Sequence, residues 1–260
     1  MIKIKTLLFF FALLALQACF VGQGYKGNGN VIKQQIQTSD YTKISALGAV
    51  DIILTDGKVG DLSIEAESNL IGLVEAEVNN GELQIKTKDG VNISTDKGIK
   101  VYVPVDNRLS FVSAAGSGDI TATKDLNSPD FTVQASGSGD IDLGNIQAGN
   151  FHIKLMGSGN FSSENLQSGN TDISVSGSGN VALTGKTTGL IIKLNGSSEI
   201  KAPNFIADSA DVSISGSGDI TLNVQKTLSA SVSGSGDIHY TGNATVVKQA
   251  VSGSGEITKF

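Results

Sequence analysis

Gly116-Ser117-Gly118-Asp119-Ile120 opens a series of eight copies of one pattern: Gly-Ser-Gly, then Asp, Asn or Glu, then an apolar residue. The others run Gly137–Ile141, Gly157–Phe161, Gly177–Val181, Gly216–Ile220, Gly234–Ile238 and Gly253–Ile257, with the degenerate Gly196-Ser197-Ser198-Glu199-Ile200 in the one gap. Successive first glycines stand 21, 20, 20, 19, 20, 18 and 19 residues apart. So even a step marks a repeat architecture, in which every coil is a copy of one supersecondary unit.

Gly/Ser-rich sequence also makes flexible linkers, and the residues between the motifs decide against that reading. Before Gly137 stand Phe131, Val133 and Ala135; before Gly157, Phe151, Ile153 and Leu155; before Gly216, Ala210, Val212 and Ile214. After the motif the alternation resumes, as in Ile141 and Leu143 or Ile220 and Leu222. Apolar residues at every second position are the mark of a strand with one buried face. Each unit therefore reads as two short strands joined at a glycine corner, where a Cβ would forbid the bend.

One such unit cannot bury its own apolar face, but stacking units places each inward side chain on its equivalent one coil away. A period near 20 predicts an all-β, single-stranded parallel β-helix with coils about 4.8 Å apart, right-handed by the usual sense of parallel crossovers. Four to six inward aliphatics per coil, at about 1.5–3 kcal/mol each, offset the ordering entropy of so glycine-rich a chain.

The N-terminal third is less regular. Gly22, Gly24, Gly27, Asn28, Gly29 and Asn30 read as a flexible tether. Strand-like runs follow at 41–47, 50–55, 62–66, 83–87 and 99–105, separated by the turn signals Asp56-Gly57, Asn80-Gly81 and Asp89-Gly90. Gly48, Asp51, Ile52 and Leu54 reproduce the spacing of Gly116, Asp119, Ile120 and Ala122. The expected organisation is residues 1–18 as signal, 19–30 as tether, 31–105 as irregular β coils or a cap, and 106–260 as the regular helix. A separate small N-terminal β-domain is the alternative.

The first residues carry Lys3 and Lys5, ten apolar residues from Leu7 to Leu16, and Leu16-Gln17-Ala18-Cys19. Ten apolar residues fall short of the roughly 20 a helical span needs. The segment resembles a lipoprotein signal, with Gln17 in place of the usual small residue. The resemblance implies cleavage before Cys19, a lipid on its sulfur, and an outer-membrane anchor. An ordinary secretory signal is the alternative. Cys19 is the only cysteine, which removes disulfides, zinc–thiolate sites and thiol catalysis. A net charge of -6 with Arg108 as the only arginine argues against nucleic-acid binding.

Ala46-Leu47-Gly48-Ala49-Val50-Asp51-Ile52 followed by the serial Gly-Ser-Gly-Asp-Ile motifs resembles the auto-transporter adhesin head, or GIN domain, family of Bacteroidetes envelope lipoproteins. The resemblance covers roughly residues 40 to 257. It implies a parallel β-helix in the cell envelope and an adhesin-type role, and it brings no catalytic residues.

Two columns invite chemistry. The residue after each Gly-Ser-Gly is Asp119, Asp140, Asn160, Asn180, Glu199, Asp219, Asp237 or Glu256. Stacked about 5 Å apart, the six carboxylates repel by roughly 1 kcal/mol per neighbour in water, and such a row attracts Ca²⁺. The competing reading is that Asp and Asn are good turn residues beside glycine, splayed into solvent; it is preferred, with no metal and no cofactor expected. The serines Ser117, Ser138, Ser158, Ser178, Ser197, Ser217, Ser235 and Ser254 need a base within about 3 Å to act as nucleophiles. His152 and His239 point outward about four coils apart and share no site, so the hydroxyls are expected to bond along the stack. A polysaccharide lyase needs a basic residue at the substrate acid, and Arg108 precedes the regular coils; a hydrolase needs two carboxylates in a cleft. The preferred reading is a non-enzymatic binding surface for glycan or protein on the envelope. A periplasmic structural or signalling role is the alternative, and a polysaccharide-processing enzyme stands behind it.

Overall fold

A computed structural model describes residues 23–260; the signal segment and Cys19 lie outside the described residues. Parallel coils stack as a β-solenoid of about seven turns. The apolar residue after each corner forms a single column, Ile52, Ile120, Ile141, Phe161, Val181, Ile200, Ile220, Ile238 and Ile257, each in register with the next. Every member is buried.

Each coil contains three inward-facing runs, where the alternation in sequence pointed to two. In the coil from Ile141 to Leu155 the buried residues are Ile141 and Leu143, then Ile146 and Ala148, then Phe151, Ile153 and Leu155. The middle pair stacks as Leu126, Ile146 and Leu166. Two apolar residues between polar ones are too short a run to stand out as a strand, although they close the third side of the core. Phe131 and Phe151 pack with ring centroids 5.7 Å apart and Phe151 reaches Phe161 at 5.8 Å, while the buried Phe205 stands in the middle column, in register with Gly185.

The corner is set by one carbonyl. The oxygen of Gly137 accepts the N–H of Ser158 at 2.8 Å and that of Gly159 at 3.1 Å; Gly48, Gly116, Gly157 and Gly234 repeat the pair of bonds. This puts each carbonyl directly over the glycine one coil on, so a Cβ on Gly157 would overlap the Gly137 oxygen and one on Gly159 the Gly139 oxygen. Close backbone approach is the reason for glycine here. The degenerate copy solves the same problem differently: Ser198 keeps a Cβ, is buried, and donates its hydroxyl to the Gly177 oxygen at 3.1 Å beside the Ser197 N–H at 3.2 Å.

At the N-terminal end, chain order and spatial order differ. Here the strands are β1 (Gln23–Lys26), β2 (Val31–Gln37), β3 (Lys43–Gly48), β4 (Asp51–Thr55) and β5 (Asp61–Glu67). Next come β6 (Val74–Asn79), β7 (Glu82–Thr87), β8 (Val91–Ser94) and β9 (Lys100–Pro104), followed by β10 (Phe111–Gly116) and β11 (Ile120–Ala122). β3 and β4 form a true coil, in register with β10 and β11 as Gly48↔Gly116 and Leu54↔Ala122. On their other side lie β7 and β9, later in sequence and also parallel. Antiparallel strands then cover this layer: β6 on β7, and β5 on β9 with β2 beyond it. A single hydrophobic core runs from Tyr41 to Ile257. The buried Tyr41 hydroxyl donates to the Pro104 oxygen at 2.7 Å, and burial pushes its phenol far above the ordinary value.

The stretch from Gln23 to Asn30 is folded, contrary to its reading as a tether. β1 pairs in parallel with β8, and the Gly29 N–H donates to the Glu67 carboxylate at 2.6 Å, which also accepts from the Thr95 hydroxyl at 2.5 Å. A side chain on Gly27 would run into the same carboxylate. Gly27 thus serves a close approach, and Gly29 a left-handed bend with φ of 76°.

At the opposite end, the last coil shows Gln249 in register with buried Ala230, and Lys259 in register with Tyr240. Both polar residues sit where preceding coils face inward, and Gln249 Nε2 donates to the Ile257 oxygen at 3.3 Å across the coil.

Candidate functional site

The acidic column is a hydrogen-bonded ladder. Asp51 Oδ1 accepts the Asp119 N–H at 3.1 Å, Asp119 the Asp140 N–H at 2.8 Å, and Asp140 the Asn160 N–H at 2.8 Å. Asn160, Asn180, Asp219 and Asp237 do the same for Asn180, Glu199, Asp237 and Glu256 at 2.8–3.0 Å. The bend denies these N–H groups a sheet partner, and a short polar side chain one coil away supplies it. Glu199 is the exception that shows the length requirement. With one more methylene it gives nothing to the next coil, the Asp219 N–H turns to the Ser198 carbonyl at 3.1 Å, and the Glu199 carboxylate pairs with Lys201 at 3.0 Å. Oδ1 of each Asp and Asn in the ladder is thus already engaged. Among the described residues, no group of three or more His, Cys, Asp or Glu is placed to hold a metal ion.

The serine column behaves otherwise than expected. Ser117, Ser138, Ser158, Ser178, Ser197, Ser217, Ser235 and Ser254 are exposed, and none of their hydroxyls bonds along the stack; the backbone N–H groups and the Asp/Asn ladder hold the corner instead. His239 follows its corner and contacts Thr258 Oγ1 at 2.7 Å, whereas His152 precedes its corner on another face. A shallow hollow of about 220 Å³ places His152 near Asp172, Ser174, Lys154 and Lys193. No hydrogen bond links the histidine to the serine or the aspartate, so this Ser, His and Asp do not form an activated nucleophile. Arg108 is bound to Asp106 at 2.8 Å and Asp40 at 3.2 Å in the cap.

The sequence reading passed over one recess on the side of the stack. A groove of about 320 Å³ is lined by two polar columns, Asp125, Asn145 and Asn165 on one side and Asn127, Gln147 and Gln167 on the other. Leu126, Ile146 and Leu166 turn inward between them. The columns are two residues apart along the strand, so the six side chains form a grid of about 6.7 by 4.8 Å. Asn145 Nδ2 donates to Asp125 Oδ1 at 2.8 Å; the side chains of Asn127, Gln147, Asn165 and Gln167 make no hydrogen bond within the described residues and are exposed. Each neutral amide offers donor and acceptor together. The signal was present in the sequence, since both columns recur at steps of 20 residues, but it is out of phase with the glycine motif and lacks its distinctive composition. Asp125 is the only carboxylate in the groove, so the two-carboxylate arrangement of a glycosidase is not assembled there.

Among the described residues no helix is long and apolar enough to cross a membrane. The chain resembles the crystal structure of a putative lipid binding protein from Parabacteroides distasonis, with 26% identity and a TM-score of 0.84 over 92% of this chain and 100% of that one. Putative adhesins from Parabacteroides merdae (22% identity, TM-score 0.85, 92% and 99% covered) and Bacteroides fragilis (23%, 0.70, 91% and 100%) share the fold. No curated protein matches. The family described as putative auto-transporter adhesin, head GIN domain, matches residues 40–162 and again 143–244, and the chain belongs to it.

Proposed function

We propose that the protein is a lipid-anchored display module of the cell envelope, without catalytic activity, whose amide-lined groove binds glycan chains. The observation that carries this reading is the grid of unpartnered amides at Asn127, Gln147, Asn165 and Gln167. A saccharide chain presents hydroxyls that donate and accept, and neutral amides match both without the desolvation cost of a buried charge. Several weak contacts repeated along a stack add by effective concentration. Names given to the structural relatives, adhesin and lipid-binding protein, agree with binding rather than turnover. The coil interior is filled by side chains from Ile52 to Ile257, which leaves the outer surface for any ligand, lipid included.

Glycan-array binding of the purified protein tests the reading. The double variant Gln147→Ala/Gln167→Ala is expected to lose at least about fivefold in affinity, each amide contributing roughly 0.5–1.5 kcal/mol, with an unchanged melting temperature. Absence of any glycan binding by the parent, or equal binding by the variant, rejects it. Protease treatment of intact cells then separates a surface adhesin, which is cut, from a periplasmic structural role, in which the protein survives.

A further inference from the structure

The fold brings its first strand down onto the cap, and this bears on how the protein stands on a membrane. Between Cys19 and the first residue of β1 lie only Phe20, Val21 and Gly22. From there the chain is held at every step. β1 is registered on β8 from Gln23↔Val91 to Lys26↔Ser94. The Lys26 carbonyl accepts from Asn69 Nδ2 at 2.8 Å, the Gly27 N–H donates to the Ser94 oxygen at 2.8 Å, and Asn28 Nδ2 donates to Ser68 Oγ at 2.8 Å. The Gly29 N–H is bound by Glu67 at 2.6 Å, and the Asn30 carbonyl accepts the Ser68 N–H at 2.8 Å.

We propose that the β1–β8 sheet and the adjoining cap are the membrane-facing surface of the protein, with a lipid bilayer as partner and the coils extending away from it. The inference rests on the lipidation of Cys19 proposed above. Three intervening residues reach at most about 14 Å from Cys19 to β1, whereas a free tether to Asn30 would reach about 40 Å and impose no orientation. The nine corner levels from Gly48 to Gly253 place the last coil about 38 Å beyond the first. β7, β9 and the antiparallel strands over them lie on the near side of that first coil. The short link therefore fixes which end meets the bilayer, with the amide groove on the coils of Gly116, Gly137 and Gly157 that follow the first.

The test uses the full lipidated chain in phosphatidylcholine vesicles doped with a nitroxide-headgroup lipid. The sulfur of Cys19 is blocked by its lipid, so a single introduced cysteine takes the fluorophore. Asn92→Cys on β8 and Ser254→Cys in the last coil are both exposed positions. The expected result is quenching at least about threefold stronger at position 92 than at 254. Placing a twelve-residue Gly/Ser spacer between Gly22 and Gln23 is expected to reduce the quenching at 92 to the level at 254. Lipidated protein that floats with vesicles but quenches equally at both positions overturns this inference alone. A purified chain whose mass lacks the lipid and that stays in the supernatant overturns the anchoring proposal, and this inference with it.

Discussion

Oδ1 of Asp119 accepts the backbone N–H of Asp140, one coil along, at 2.8 Å, and Oδ1 of Asp140 in turn accepts both the N–H and the side-chain Nδ2 of Asn160 at 2.8 and 3.0 Å. The acidic column is therefore a chain of acceptors, and its charge is incidental. Asp140→Asn keeps an acceptor of the same reach and is expected to cost less than about 0.5 kcal/mol. Asp140→Ala leaves the exposed Asn160 N–H to water and is expected to cost about 0.5–1.5 kcal/mol. Urea midpoints of the two variants check this; equal losses would show that the bond contributes nothing.

The two residues of one corner should respond in opposite ways. Ser158 is exposed and its hydroxyl has no partner, so Ser158→Ala is expected to stay within about 0.5 kcal/mol of the parent. Gly159 faces the Gly139 carbonyl, and the added methyl of Gly159→Ala would force the coils apart. A loss of about 3 kcal/mol is expected. Chemical denaturation distinguishes the cases, and a tolerated Gly159→Ala would remove close backbone approach as the reason for the glycine repeat.

Glu67 makes the cap sensitive to acid. The Thr95 hydroxyl, then the Gly29 N–H, hold its carboxyl below the ordinary glutamate range, with burial opposing and Lys97 assisting. Since the folded-state value is depressed, the native state favours the ionised form. The stabilisation is present in full above the unfolded-state value and is lost as pH falls through the folded one. Melting curves of the parent and Glu67→Gln are expected to differ at neutral pH, with the parent more stable, and to converge on acidification below about pH 4. A difference that persists into acid would assign the effect to packing instead.

What could be read from the chain follows from how strongly each position is constrained. Gly116 through Gly255 announce the coil because two backbones meet there in turn after turn, and a residue with a Cβ enters only once, at Ser198, where its hydroxyl binds the carbonyl it faces. The match of Gly48 and Ile52 to Gly116 and Ile120 identified a further coil for the same reason. The position of β7 and β9 outside that coil was not legible: Leu83 and Val101 alternate as strands in either placement, and only the tertiary pairing chooses. Gly27 and Gly29 carried the composition of a linker, yet Gly27 is small because the carboxylate of Glu67, 40 residues later, lies against it. The amide groove escaped notice because Asn127, Gln147 and Gln167 have the chemistry of any solvent-facing strand; their meaning comes from register.

The far end of the solenoid shows how an open sheet edge is kept from pairing. Val247, Val251 and Phe260 are 64%, 43% and 68% exposed on the last coil, and among the described residues the strand Thr245–Gly253 has no neighbour beyond it. Such an edge offers unpaired N–H and C=O groups to any second strand, and inward-pointing polar residues are one way to blunt it. Gln249 and Lys259 occupy that role, since a further coil would have to bury both against its own apolar residues. Replacing them with Gln249→Val and Lys259→Val leaves the coil geometry intact and turns the end face apolar. The double variant is expected to self-associate in a concentration-dependent manner by sedimentation velocity, while Lys201→Val, a surface lysine on the side of the stack, is not. Should the double variant sediment as the parent does, the edge must be protected by its twist or by the exposed termini of its strands, and the two polar side chains would be without consequence for assembly.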